Sequence, residues 1–122
     1  MSVNTKNKKI VLRFRSVNKD IFDAINHDKK KVETRAATKK YSSIVPGDIV
    51  VLICGSKKIE KQIKKVELFP SITSILKRYK PSDINPNTHT EQEARLAWYS
   101  FPGYKEKIKK YGLIAMTLSS VK

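Results

Sequence analysis

Segment order and apolar patterning point to an α+β domain, a small mixed β-barrel with helices packed on its outside. The chain of 122 residues runs strand, helix, strand, strand, strand, helices, strand, and that length suits one core rather than two. Its third strand segment, Ile49 to Cys54, has no polar side. Such a segment is covered on both faces or lies inside a barrel. A third observation is chemical. A lysine-rich turn around His27–Lys31 feeds a segment on which Glu33 and Arg35 share one face, because residues two apart on a strand point the same way.

Residues 1–9 are polar and lysine-rich and are expected to form a flexible basic arm, with residues 10–122 as a single domain. Ile10 to Phe14 is short, apolar and bounded by polar residues, as a strand should be. Ser16 can cap a following helix with Val17, Ile21, Ala24 and Ile25 on its apolar face. The second strand is expected over Lys31–Thr38, then a basic loop holding Lys39, Lys40 and Tyr41. Pro46-Gly47-Asp48 supplies the dihedrals of a turn into the apolar strand, and Gly55-Ser56-Lys57-Lys58 turns the chain into a fourth strand. Neither side of that fourth strand is purely apolar, so it is expected at a sheet edge or strongly twisted, with its lysines exposed.

Ser71 opens a short helix carrying Ile72, Ile75, Leu76 and Tyr79. The proline- and asparagine-rich stretch from Pro81 to Thr88 reads as a loop. Thr90-Glu91-Gln92-Glu93 fits a capping box, in which the first and fourth residues satisfy each other's backbone donors. Ala94, Ala97, Trp98 and Phe101 form the face of the helix it starts, and Pro102-Gly103 stops that helix. Tyr104, Ile108 and Tyr111 stripe a last basic helix, Gly112 is its C-terminal cap, and Leu113 to Leu118 closes the fold as a strand.

Twenty-six Lys and Arg against 11 Asp and Glu give a net charge of +15, so a polyanion is the first partner to consider. The single cysteine, Cys54, cannot form an internal disulfide and suits a reducing, cytoplasmic setting as a buried small hydrophobe. No apolar run approaches the roughly 20 residues that cross a bilayer, and the N-terminus lacks the apolar stretch of a secretory signal. Neither a membrane nor a cofactor is therefore expected as a partner. The two histidines and one cysteine are widely scattered, whereas zinc needs three or four ligands, so no metal site is expected.

Four pieces, in order, resemble an ASCH domain, a branch of the PUA-like superfamily. They are the helix and turn before residue 28, Asp28-Lys29-Lys30-Lys31-Val32-Glu33-Thr34-Arg35 against the family signature Gly-x-Lys-x-x-Glu-x-Arg, Pro46-Gly47-Asp48 ahead of an apolar strand, and Tyr111 to Leu118. The signature's glycine is Asp28, and aspartate tolerates a positive φ better than most residues. The resemblance implies a PUA-like barrel that binds RNA or a nucleotide-like ligand in a cleft beside the signature. Some small bacterial members resemble amidohydrolases that deacylate N4-acetylcytidine, using a lysine in the signature turn, a threonine three residues later and a later glutamate. Position by position, the lysine falls on Lys30 and the glutamate on Glu93, or less securely on Glu91, while the threonine position holds Glu33.

The expected site is thus Lys30, Glu33 and Arg35. Arginine offers a planar fork for phosphate or a base edge, and glutamate can accept from an exocyclic amine. The competing reading is a solvated lysine run beside an exposed ion pair worth about 0–1 kcal/mol. Tyr41 is the candidate for base stacking, while Trp98 and Phe101 fit a core face better. Lys39 and Lys40, with Lys57, Lys58, Lys61, Lys64 and Lys65, would attract phosphates diffusely. Glu93 is read first as the capping residue and second as a catalytic assistant to Lys30. Three functions stay open: RNA or nucleotide binding, hydrolysis of a modified nucleoside or of RNA, and an adaptor whose basic face meets an acidic protein. The oligomeric state is not legible in the sequence.

Overall fold

A computed structural model describes residues 7–121. Among the described residues, five strands and six α-helices make an α+β fold. The elements are β1 (Lys9–Phe14), α1 (Lys19–Asn26), β2 (Val32–Ala36), α2 (Lys39–Ser42), β3 (Ile49–Cys54) and β4 (Lys57–Phe69). Then follow α3 (Ile72–Arg78), α4 (Pro81–Ile84), α5 (Glu91–Tyr99), α6 (Tyr104–Tyr111) and β5 (Leu113–Ser120). The strands form one sheet in the order β1-β3-β4-β5-β2. β1 and β3 run parallel, and every other neighbouring pair is antiparallel.

The sheet curls into a half-barrel rather than closing. β4 is the reason. It spans 13 residues, pairs with β3 through its first half and with β5 through its second, and slips register between Ile63 and Lys65. An extra residue in one strand bends it and increases the local twist. β4 is therefore the middle strand, not an edge. Its mixed polarity arises because each half of a long curled strand turns a different side inward. Lys61 consequently is not a surface lysine: it is 6% exposed, with Nζ 2.8 Å from Oδ1 of Asp28.

Two apolar layers flank the sheet. On the concave face Leu12, Val50, Leu52, Ile114 and Met116 meet Phe22 and Ile25 of α1. On the convex face Val32, Leu113 and Ala115 pack under α3, α5 and α6 through Ile75, Trp98 and Ile108. The start of α1 differs from expectation. A 3-10 turn over Ser16–Asn18 precedes it, and Asn18, not Ser16, stands at its N-terminus. That turn leaves Val17 exposed and makes Phe22 the buried partner of Ile21 and Ile25. The Pro81–Thr88 stretch is not all loop, since α4 contributes one helical turn with Ile84 buried.

Of the expected basic arm, residues 1–6 lie outside the described residues. Lys9 already belongs to β1, opposite Ile49. Lys8 is tied to the Pro46-Gly47-Asp48 turn, since its N–H donates to Asp48 Oδ1 at 3.0 Å and its ammonium lies 3.0 Å from Oδ2. The Val45 N–H also donates to Asp48 Oδ2, at 3.0 Å. Burial alone would push this carboxyl upward, but the two N–H donors and the Lys8 ammonium bring it below the ordinary value of 3.8. The native carboxyl thus binds a proton less readily than the unfolded one. Its contribution to stability is complete above about pH 4 and is lost as pH falls further. Asp48→Asn is expected to be less stable than wild type at pH 7, with the gap narrowing toward pH 3, as read from urea midpoints. A gap constant across that range would contradict this assignment.

Candidate functional site

The two edge strands of the half-barrel face each other across an open seam, and the signature segment lies on one of them. The turn before β2 is set by Asp28, the one non-glycine residue at positive φ among the described residues (φ 60°). Aspartate accepts this conformation at modest cost, and its carboxylate is pinned to β4 by Lys61. The N–H groups of Lys29 and Lys30 both donate to the Ala24 carbonyl, at 2.9 and 3.0 Å. This compact turn aims Lys30 inward.

Lys30 is buried. Its ammonium donates to the carbonyls of Val32 and Ile84 and lies 3.3 Å from Glu33 Oε1. Burial pushes the Lys30 pKa down, and the Glu33 carboxylate opposes that shift. The other carboxylate oxygen of Glu33 faces Arg35, 3.1 Å from Nη2 and 3.2 Å from Nε. Arg35 then spans the seam. Its Nη2 donates to the Arg13 carbonyl of β1 at 3.4 Å, and its guanidinium lies over the Phe14 ring, 5.1 Å from the centroid. Cation, anion and cation thus form a chain from the protein interior to the opposite edge of the sheet.

Beside this chain lies a cavity of about 370 Å³. Pockets for small ligands run from about 300 to 1,000 Å³. Glu33 and Arg35 line it, and among the described residues Glu33 is its one carboxylate. Aromatic side chains supply much of the wall: Phe14, Tyr41, Trp98, Phe101 and Tyr104. The basic residues on the wall are Arg13, Arg15, Arg35 and Lys107. Such a cavity favours a flat ligand carrying negative charge. Its single carboxylate, already neutralised by two cations, can still accept a hydrogen bond from an amine.

The other expected site residues separate. Lys30 lies beneath Glu33 and is not among the lining residues. Tyr41 lines the cavity, and Lys40 lies 5.3 Å from its ring centroid on the exposed side. Lys39 is exposed on α2. Glu93 lies outside the cavity lining. One oxygen of its carboxylate accepts from the N–H groups of His89 and Thr90, at 2.8 and 3.1 Å, completing the capping box. Glu91 pairs instead with Arg95, at 2.8 Å. Among the described residues no three His, Cys, Asp or Glu side chains gather as a metal site would require, and no helix is long and apolar enough to cross a membrane.

Sequence reasoning missed Phe14, Arg15 and Lys107 as cavity residues. Phe14 and Arg15 stand at the end of β1 and Lys107 on α6, and only the seam unites them. Trp98 has a double role. It packs in the convex core, and its indole N–H donates to Thr34 Oγ1 at 3.0 Å where the wall meets β2. Trp98→Phe is expected to cost about 1–2 kcal/mol, because the indole donor is lost while the ring's burial is largely kept. Thermal melts of the two proteins would measure this, and an unchanged midpoint would remove the bond from the account.

No family model matches the chain, and no curated protein matches it. Solved structures do share the fold. The crystal structure of the hypothetical protein PH0355 superimposes with a TM-score of 0.74 at 22% identity, over 95% of this chain and 100% of that one. The solution NMR structure of protein PF0455 from Pyrococcus furiosus gives 0.71 at 22% identity, over 93% of this chain and 98% of that one. Both likenesses concern the fold alone, a curled half-barrel sheet.

Proposed function

We propose that this chain is an ASCH-type, PUA-like domain that binds RNA or a nucleotide-like ligand at the seam of its half-barrel. One observation carries the reading. Glu33 and Arg35 stand side by side on the wall of an aromatic, positively charged cavity, held by a buried lysine. A base entering it finds ring faces to stack on, a carboxylate for an exocyclic amine and a guanidinium for carbonyl or phosphate oxygens. Exposed lysines such as Lys39, Lys40, Lys64 and Lys65 add attraction for a backbone. The hydrolase alternative has less support. It needs Lys30 and Glu93 at the ligand, whereas the Lys30 ammonium serves two carbonyls and Glu33, and Glu93 caps α5. Nothing specific favours the adaptor.

The test is fluorescence anisotropy with labelled single-stranded RNA. Binding should weaken steeply between about 50 and 200 mM salt. Arg35→Ala should lower affinity by about tenfold or more, the loss of one charged base or phosphate contact. Its fold can be checked by circular dichroism, since Lys30 still balances Glu33. Affinity unchanged in both Arg35→Ala and Tyr41→Ala would remove the seam cavity as the binding site.

A further inference from the structure

The cavity has a lip that base recognition leaves unused. Phe101 and Tyr104 stand together on it, ring centroids 5.1 Å apart. Each carries a cation. The Arg15 guanidinium lies 5.0 Å from the Phe101 centroid, and the Lys107 ammonium lies 5.9 Å from that of Tyr104. Two positive groups thus rest on adjacent rings at one side of the opening. Among the described residues neither belongs to an ion pair, although nine such pairs form elsewhere. Tyr104 connects this lip to the wall of β2, since its hydroxyl accepts the Ala36 N–H at 3.3 Å. The Glu33–Arg35 pair and the Arg15–Lys107 pair therefore serve the same cavity from different places.

We propose that Arg15 and Lys107 are a phosphate clamp, so that the cavity takes a nucleotide in preference to the matching nucleoside. The inference rests on the binding function proposed above and adds to it the phosphoryl group as a required part of the ligand. The chemistry fits the two side chains. A guanidinium accepts a phosphate through two parallel N–H groups, an ammonium adds a point charge, and stacking on a ring restricts both before the ligand arrives. A cavity of about 370 Å³ lies in the range of sites that hold a single small ligand such as one nucleotide. A base must then come from a free nucleotide or from an unpaired position in a strand.

Isothermal titration of the full chain with cytidine, cytidine monophosphate, adenosine and adenosine monophosphate separates the possibilities. Each monophosphate should bind about tenfold or more tightly than its nucleoside, the size of one charge-assisted contact. The preference should grow from pH 5 to pH 7.5, because a phosphate monoester gains its second charge near about pH 6. A dinucleoside monophosphate, whose phosphate is a diester, should show the preference without that pH dependence, which distinguishes a strand from a free nucleotide. In Arg15→Gln/Lys107→Gln the ratio of nucleotide to nucleoside affinity should fall to about two or less, and Lys77→Gln, on α3, should leave it as in wild type. Equal binding of nucleosides and nucleotides overturns the clamp and leaves the binding function standing. A nucleotide preference that survives the double substitution overturns it too, by locating the phosphate elsewhere. Absence of binding by any of these compounds or by RNA overturns both.

Discussion

Glu33→Ala is expected to destabilise the fold by about 3–5 kcal/mol, the usual consequence of removing one partner from a buried ion pair. Glu33 touches Lys30 with one oxygen and Arg35 with the other. Its loss leaves an ammonium that is 3% exposed with no anion beside it. The Val32 and Ile84 carbonyls still accept from that ammonium but cannot cancel its charge. Much of the cost lies in the orphaned lysine, since Arg35, which loses the same carboxylate, keeps the Arg13 carbonyl and the Phe14 ring, so a second substitution should recover much of it. Lys30→Met/Glu33→Leu replaces the pair by apolar groups of similar bulk and should be far more stable than Glu33→Ala alone. Urea unfolding of wild type, Lys30→Met, Glu33→Leu and Lys30→Met/Glu33→Leu gives the coupling energy. A cost below about 1 kcal/mol for Glu33→Ala would mean that the pair is solvated, as in an exposed salt bridge.

The same triad marks where the sequence could and could not be read. Strand periodicity put Glu33 and Arg35 on one face, and the structure has them opposite Met116 and Ile114, on the concave side. Spacing alone could not assign Lys30. It sits in a run of three lysines, of which Lys29 and Lys31 are exposed, and only the positive φ at Asp28 turns the middle one inward. The capping box at Thr90 was legible because a cap depends on residues three apart, whereas at Ser71 only the helix start was, its partner being Ser74 rather than a Glu or Gln. The central position of β4 was not legible. An edge strand and a long strand that bends mid-way expose similar mixtures of lysine and isoleucine, and strand order depends on contacts distant in sequence. Arg15 and Lys107 lie 92 positions apart and come to one cavity because Phe101, just before α6, packs under Arg15 at the end of β1 and against Tyr104. No local pattern encodes such a meeting.

The second large effect is expected at Gly112, where the chain leaves α6 and enters β5. Its φ is +77°, and a Cβ built there would lie 2.3 Å from the Phe69 carbonyl oxygen and 3.3 Å from Pro70 Cα. Both obstacles are backbone, at the end of β4 where Phe69 pairs with Leu113. Neither can rotate away as a side chain would. Moving them would disturb the β4–β5 ladder and with it the strand against which β2 and its ionic triad are paired. Gly55 is the internal control. It also has a positive φ, +61°, but a Cβ there would meet nothing within 4 Å. Gly55→Ala should therefore cost only the left-handed backbone penalty, about 1–2 kcal/mol. Gly112→Ala, at φ +77° and ψ −160°, carries a larger backbone penalty together with the collision, and should lose more than about 3 kcal/mol or fail to accumulate as folded protein. Backbone and sterics thus add at Gly112, whose ψ of −160° puts it in a region essentially reserved for glycine, whereas Gly55 is uncrowded. Equal melting temperatures for the two variants would show that the α6–β5 junction yields, and that close approach of the Phe69 carbonyl is not what requires glycine there.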